Sequence, residues 1–257
     1  MTHRPLTHLP PMSHFDFRFE RGSDGVAVLT LDRPETLNSL TFTIYGQLER
    51  LFRDLETDET VKVVVLTGHG RGFCSGGSVE DIIGPLLESE LDGTLAFTRM
   101  TGAVVRNMLR LQKPIVAAIN GIAAGAGAVL ALASDLRVMS EQAKFAFLFT
   151  KVGLTGADMG AAWLLPKVIG TGRAMELLML GDKVTADECL RIGLANRVVP
   201  QDQVLAEAMT LARRLAHGPG LALGMTKKMV WNEWPMDLDA AIEQEAQAQA
   251  LLLRAHD

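Results

Sequence analysis

Apolar and polar residues change rhythm several times along this chain, and each rhythm predicts an element. Phe15, Phe17 and Phe19 alternate with polar residues, RGSDG interrupts, and VAVLTL resumes. Period two on both sides of a turn predicts a β-hairpin. From Thr41 the spacing lengthens: Ile44, Leu48, Leu51, Phe52 and Leu55 form one face of a helix that Thr41 can cap. VKVVVLT (61–67) is a short apolar run and predicts a buried strand. An amphipathic helix follows near 95–111, and Lys113-Pro114 opens the strand IVAAI. LRVM (136–139) and the alternating KFAF (144–147) predict short strands, and RVV (197–199) a last one. The pattern turns helical from Gly160, with a capping box at Thr185-Ala-Asp-Glu188. Three helices near 203–216, 221–234 and 237–255 close the chain.

Pro114 to Ser134 carries no charge, and its length suffices to span a bilayer. Gly121 and Gly125 even form a GxxxG. Asn120-Gly121, however, is a turn signal in its middle. The segment therefore divides into a buried strand and a short buried helix, and the non-membrane reading is preferred. Strand, glycine-rich loop and helix occur in succession twice, at 61–82 and at 115–133. Repeated βα units predict right-handed crossovers and parallel strand neighbours, hence an α/β class.

Composition narrows the function. A net charge of -5 and a pI near 5.7 disfavour nucleic acid as a partner. Two cysteines, Cys74 and Cys189, make neither a disulfide framework nor a cysteine zinc site, so no metal is expected. Residues 1–14 lack the apolar core of a signal peptide and are expected to be disordered or extended, in a cytoplasmic protein. Glycine numbers 24, roughly 9% against a typical ~7%. Such an excess asks where backbone must come close to something.

Two loops answer. Gly68-His-Gly-Arg-Gly-Phe-Cys-Ser-Gly-Gly77 and Asn120-Gly-Ile-Ala-Ala-Gly-Ala-Gly127 each follow a strand and precede a helix. A helix start offers unpaired N–H groups and a partial positive charge, and small residues let a ligand oxygen reach them. One such loop suggests an anion site; two converging loops suggest an oxyanion hole. Tight turns and close packing are the plainer explanation of either loop alone. Phe73 breaks the GxGxxG spacing, and no Lys-Ser or Lys-Thr pair follows, so neither nucleotide motif is present.

GHGRGFCSGGSVEDI resembles the first signature of the crotonase, or enoyl-CoA hydratase/isomerase, superfamily, and KPIVAAINGIAAGAGAVLALASDLRV resembles the second. Arg33-Pro34-Glu-Thr-Leu-Asn38-Ser-Leu40, Trp163-Leu-Leu-Pro166 and Gly193-Leu-Ala-Asn-Arg-Val-Val199 continue the likeness over roughly residues 15–255. The resemblance implies a ββα-spiral core, taken as 15–200, and a C-terminal helical trimerisation region, 201–257, giving homotrimers or hexamers. It implies an acyl-CoA thioester as partner, with no cofactor beyond the CoA of the substrate. Matched residue by residue, the oxyanion N–H groups fall on Gly77 and Ala126. The CoA contacts fall on the backbone around Leu37, Ser75, Ser78 and Val79.

The departures bear on the reaction. Val129 and Phe149 stand where hydratases of the family carry two glutamates, and Ser78 replaces the usual Asp. Anchored on Trp163-Leu-Leu-Pro166, Asp158 matches the catalytic Asp of isomerase-like and dehalogenase members, one residue farther from Gly153 than usual. Asp158 can equally cap the following helix. One carboxylate favours proton shuttling, as in a Δ3,Δ2-enoyl-CoA isomerase; as a nucleophile it suits a hydrolase or dehalogenase. A non-catalytic CoA-binding scaffold is the other alternative. His69 is expected to face solvent, Asp135 to be structural, and Lys227-Lys228 to be a solvated pair, with a CoA phosphate as the other option.

Overall fold

The computed structural model describes residues 15–255. The expectation for residues 1–14 lies outside them. β1 (Phe17–Arg21) and β2 (Val26–Leu31) form the expected hairpin, with Phe17 opposite Leu31. In α1 (Phe42–Asp54) the predicted stripe is buried, and Thr41 caps the helix by accepting the Ile44 N–H at 3.3 Å.

Then the chain winds. β3 (Val63–Gly68) is followed by β4 (Gly72–Cys74), α2 (Gly84–Glu88) and α3 (Leu91–Arg110). β5 (Ile115–Ile119) is followed by β6 (Ile122–Ala124) and α4 (Ala126–Ala133). β7 (Leu136–Ser140) is followed by β8 (Lys144–Ala146), α5 (Ala161–Ile169) and α6 (Thr171–Leu180). The chain continues through β9 (Val184–Thr185), α7 (Ala186–Arg191) and β10 (Arg197–Val199). It ends with α8 (Val204–Ala216), α9 (Gly220–Asn232) and α10 (Leu238–Leu252).

Each turn places its first strand in a large sheet, ordered β1-β2-β3-β5-β7-β10, and its second in a small one, ordered β4-β6-β8-β9. From β2 to β10 the large sheet is parallel, as the repeated units predict. Every residue of β3 and β5 is buried, which explains why these strands read as unbroken apolar runs. β4 and β6 were not legible as strands. Each has three residues inside a glycine-rich stretch and is specified by its neighbour rather than by its own pattern.

One core fills the space between the sheets and α1, α3, α4 and α5. On the other face of the large sheet, Val204, Ala208, Leu211 and Ala212 of α8 cover Val63, Val65, Val116 and Val138. By packing, α8 is therefore part of the sheet's own core, although it lies beyond residue 200. The uncharged stretch 114–134 folds as β5, β6 and α4, and no described helix is long and apolar enough to cross a membrane.

Candidate active site

The two glycine-rich loops meet because strands inside them pair. Cys74 of β4 lies opposite Ala123 of β6. Two asparagines then fix the first loop. Asn38 sits in the left-handed region at φ 60 and donates to the carbonyls of Gly72 at 2.8 Å, His69 at 3.0 Å and Phe73 at 3.2 Å. Asn120 accepts the Gly68 N–H at 3.3 Å and donates to the Gly70 carbonyl at 2.9 Å. The approach of α4 to β4 depends on Gly127, where a Cβ would overlap the Cys74 carbonyl oxygen.

This packing orients two N–H groups. Leu40 forms a parallel bridge with Gly77, its N–H donating to the Gly76 carbonyl at 2.8 Å and its carbonyl accepting the Ser78 N–H at 2.9 Å. The residues flanking Gly77 are thereby used on one side, and the Gly77 N–H points to the other. Ala126 is the first residue of α4, so its N–H is one of the helix's orphan donors. A Cβ on Gly76 would stand 3.5 Å from Ala126 N, which measures how closely the loops converge. Among the described residues, neither the Gly77 nor the Ala126 N–H has a partner.

Asp158 arrives from the turn before α5. Met159 at φ 49 and Gly160 at φ 90 make that turn, and the Asp158 carboxylate accepts the Met159 N–H at 2.9 Å. The helix itself begins at Gly160 without a side-chain cap. The capping role open to Asp158 in the sequence is thus not the one it plays. Burial pushes its carboxyl above the usual carboxylate range, opposed by the Met159 N–H. Its charge also reaches Tyr45, which burial and then the Cys74 and Asp158 charges hold well above the usual phenol range. Tyr45 Oη in turn lies 3.7 Å from where a Gly77 Cβ would stand. Cys74 is fully buried, and its thiol is pushed up to about 12 by desolvation, so it packs rather than reacts. Val129 and Phe149 are buried apolar residues.

A model of the enoyl-CoA hydratase/isomerase family matches residues 21–256. The chain belongs to this family. A 1,2-epoxyphenylacetyl-CoA isomerase of Escherichia coli is 37% identical over 242 residues, 94% of this chain and 92% of that protein. A probable enoyl-CoA hydratase of Mycobacterium bovis is 39% identical over 230 residues, 88% of this chain and 79% of that protein. A crystal structure from Streptomyces coelicolor, provisionally assigned as an enoyl-CoA hydratase, superposes with a TM-score of 0.94 at 49% identity, covering 99% of this chain and 93% of that one. The crotonase-type α/β fold with C-terminal helices is shared with these structures.

Against the family pattern, the residues matched to CoA contacts form one strip. The Ser75 N–H donates to the Leu37 carbonyl at 2.9 Å, and its hydroxyl donates to the Thr36 carbonyl at 2.8 Å. Leu37 is left-handed at φ 55. Ser78 has its N–H on Leu40, and its hydroxyl accepts the Asp81 N–H at 3.1 Å. Val79 opens the turn 79–83, and its side chain lies outside the described residues.

The expectation of a solvated Lys227-Lys228 pair holds for Lys228, which is exposed, and needs correction for Lys227. Lys227 is buried and its ammonium contacts Asp135 at 2.8 Å, the Met108 carbonyl at 2.9 Å and the Lys113 carbonyl at 3.1 Å. It anchors α9 to the entry of β5 and is unavailable to a phosphate. Asp135 is structural, as expected, and also accepts the Ile115 N–H at 2.7 Å. His69 is exposed but pairs with Asp32 at 2.6 Å. Sequence reasoning did not single out the clamp made by Asn38 and Asn120, or Tyr45. Asn120 opens a glycine-rich segment, Asn38 lies in the Arg33–Leu40 motif, and Tyr45 is the sole tyrosine in the chain.

Proposed function

We propose that this protein is an acyl-CoA-thioester enzyme that isomerises an enoyl-CoA by proton shuttling. The observation that carries the reading is the pair of unpartnered N–H groups, Gly77 and Ala126, on converging loops; the half-buried Asp158 is tied to them through Tyr45, which feels its charge and whose hydroxyl lies 3.7 Å from where a Gly77 Cβ would stand. The thioester oxygen sits between the two donors. Asp158 removes a proton next to the carbonyl or its vinylogue, negative charge moves to that oxygen, and the N–H groups stabilise the enolate. The same carboxyl then returns the proton to another carbon, which moves the double bond. Burial favours this role, because a carboxyl held above the usual carboxylate range accepts a proton more readily than an exposed one.

Hydration is the less favoured reaction. Val129 and Phe149 offer no carboxylate pair to activate water. The isomerase named among the relatives also supports a rearrangement, and its acyl group is not carried over here. CoA lies along Leu37, Ser75, Ser78 and Val79 in this reading. Exposed Met175, Met179 and Leu180 on α6, and Leu238 and Ile242 on α10, support self-association as a trimer or hexamer.

The test is turnover of a 3-enoyl-CoA and a 2-enoyl-CoA, followed by absorbance of the conjugated thioester. Isomerisation of the first is expected, and Asp158→Asn should lower it by about 10²- to 10⁴-fold. No turnover with either substrate, with no CoA binding by calorimetry, refutes the enzyme and leaves a scaffold. Turnover undiminished in Asp158→Asn refutes the base.

A further inference from the structure

Tyr45 stands in the apolar stripe of α1, where phenylalanine would complete the packing. Its ring is edge-on to Phe97, with centroids 5.5 Å apart, and Phe97 also packs edge-on against Phe42 at 4.7 Å. The residue is only 3% exposed. Yet among the described residues its hydroxyl has no hydrogen-bond partner. Nor is it among the fully enclosed unsatisfied atoms, which are Thr150 Oγ1 and Glu233 Oε1. What remains exposed of Tyr45 therefore includes its hydroxyl, whose oxygen lies 3.7 Å from where a Gly77 Cβ would stand.

Open to solvent, the hydroxyl can donate to water; a ligand that displaces that water must supply an acceptor or leave the hydroxyl unpaired. A buried hydroxyl left unpaired costs free energy that a phenyl ring at the same place avoids. Burial and the nearby Cys74 and Asp158 keep the phenol protonated, so it is available as a donor. One oxygen of the Asp158 carboxylate accepts the Met159 N–H, and neither makes a hydrogen bond to Tyr45. Once a ligand fills the space beside Gly77, the acceptor must come from that ligand.

We propose that the Tyr45 hydroxyl donates a hydrogen bond to an oxygen on the acyl group, and thereby selects thioesters whose acyl chain carries a hydroxyl, keto or epoxide oxygen near the carbonyl. This rests on the thioester reading above. If the Gly77 N–H holds the thioester oxygen, a group beside the Gly77 side-chain position faces the first carbons of the acyl chain. A hydrocarbon chain would leave the hydroxyl dry and unpaired; an oxygenated chain satisfies it. Discrimination of this kind exceeds what shape alone gives, because the penalty falls on the wrong ligand.

The probes are acetoacetyl-CoA and butyryl-CoA, titrated calorimetrically into the unmodified protein and into Tyr45→Phe. The substitution is expected to weaken acetoacetyl-CoA about tenfold, an ordinary size for one lost hydrogen bond. Butyryl-CoA should bind unchanged or slightly tighter. Carbon-13 labelling of the tyrosine ζ carbon gives a single resonance, since the chain has one tyrosine. That resonance should shift with acetoacetyl-CoA and not with butyryl-CoA, without any substitution. Equal effects of Tyr45→Phe on both ligands, or a resonance that ignores the keto oxygen, overturns the inference while the thioester reading stands. Failure of the unmodified protein to bind either ligand overturns both.

Discussion

Gly127→Ala tests whether the packing of the two loops and the proposed oxyanion geometry are one structure. The added Cβ would stand 2.6 Å from Cys74 Cβ and 2.9 Å from the Cys74 carbonyl carbon, and would overlap its oxygen. Ordinary contact begins near 3.4 Å. No side-chain rotation relieves the clash, because the obstacle is the backbone of β4, held in place by its pairing with β6. Helix α4 must therefore retreat by roughly an ångström, at an overpacking cost of about 1–3 kcal/mol. For a chain of this size that lowers the melting temperature by about 2–12 °C.

The effect on turnover should be larger than the effect on stability suggests. Ala126 precedes Gly127 in α4, and its N–H moves with the helix. A misplacement of about 1 Å costs on the order of 10²-fold in rate. The assay pairs 3-enoyl-CoA turnover with a thermal melt. Gly102→Ala serves as the control, because Gly102 lies on α3 with nothing within 4 Å of its would-be Cβ. It should keep full activity and gain up to about 1 kcal/mol from helix propensity. A Gly127→Ala protein that melts lower yet turns over normally would refute the coupling. One that melts and turns over normally would refute the packing argument itself.

Two other perturbations have signs that follow from burial. Lys227→Met leaves the Asp135 carboxylate unpaired beneath α9 and should cost about 3–5 kcal/mol in urea denaturation; a loss below about 1 kcal/mol would mean the pair is effectively solvated. Burial already raises the Asp135 carboxyl, and removing the cation raises it further. The native state then takes up a proton at higher pH than the unfolded chain, so the variant's deficit should shrink as pH falls toward the unfolded carboxyl range and grow as pH rises. Asp158 must be ionised to act as base, so kcat/KM should fall on the acid side with an apparent pKa above the ordinary ~3.9. A profile flat down to about pH 4 would refute that assignment.

What was legible in the sequence follows from what is local. The α1 stripe and its Thr41 cap, the all-buried strands β3 and β5, and the Thr185 cap with the Glu188 N–H all repeat a period or a short-range hydrogen bond. Glycine spacing pointed to close backbone approach, and Gly121 and Gly127 bear that out against the Arg71 and Cys74 carbonyls. Of the small sheet, β8 was legible as KFAF, whereas β4 and β6 were not, because each is specified by pairing with distant strands rather than by its own pattern. Lys227 was misjudged because its partners are distant in sequence, at the end of α3, the entry of β5 and the turn before β7, so a helix-surface reading gives it to solvent. The Asp158 cap was a sound local reading, overridden when Met159 and Gly160 adopted positive φ and moved the helix start two residues on.

These observations separate a frame from the groups it serves. The frame consists of Asn38, Asn120, the Leu40–Gly77 bridge and the glycines that admit α4 to β4. It is made almost wholly of backbone contacts and buried amides, so a change in any acid or base leaves its hydrogen bonds intact. Val129, Phe149, Asp158 and Tyr45 are side chains attached to four different elements, and none holds a loop in place through its polar atoms. Changing the side chains at these four positions therefore alters what the site can do without removing the hydrogen bonds of the frame, and the chemistry can vary while the two loops stay in place.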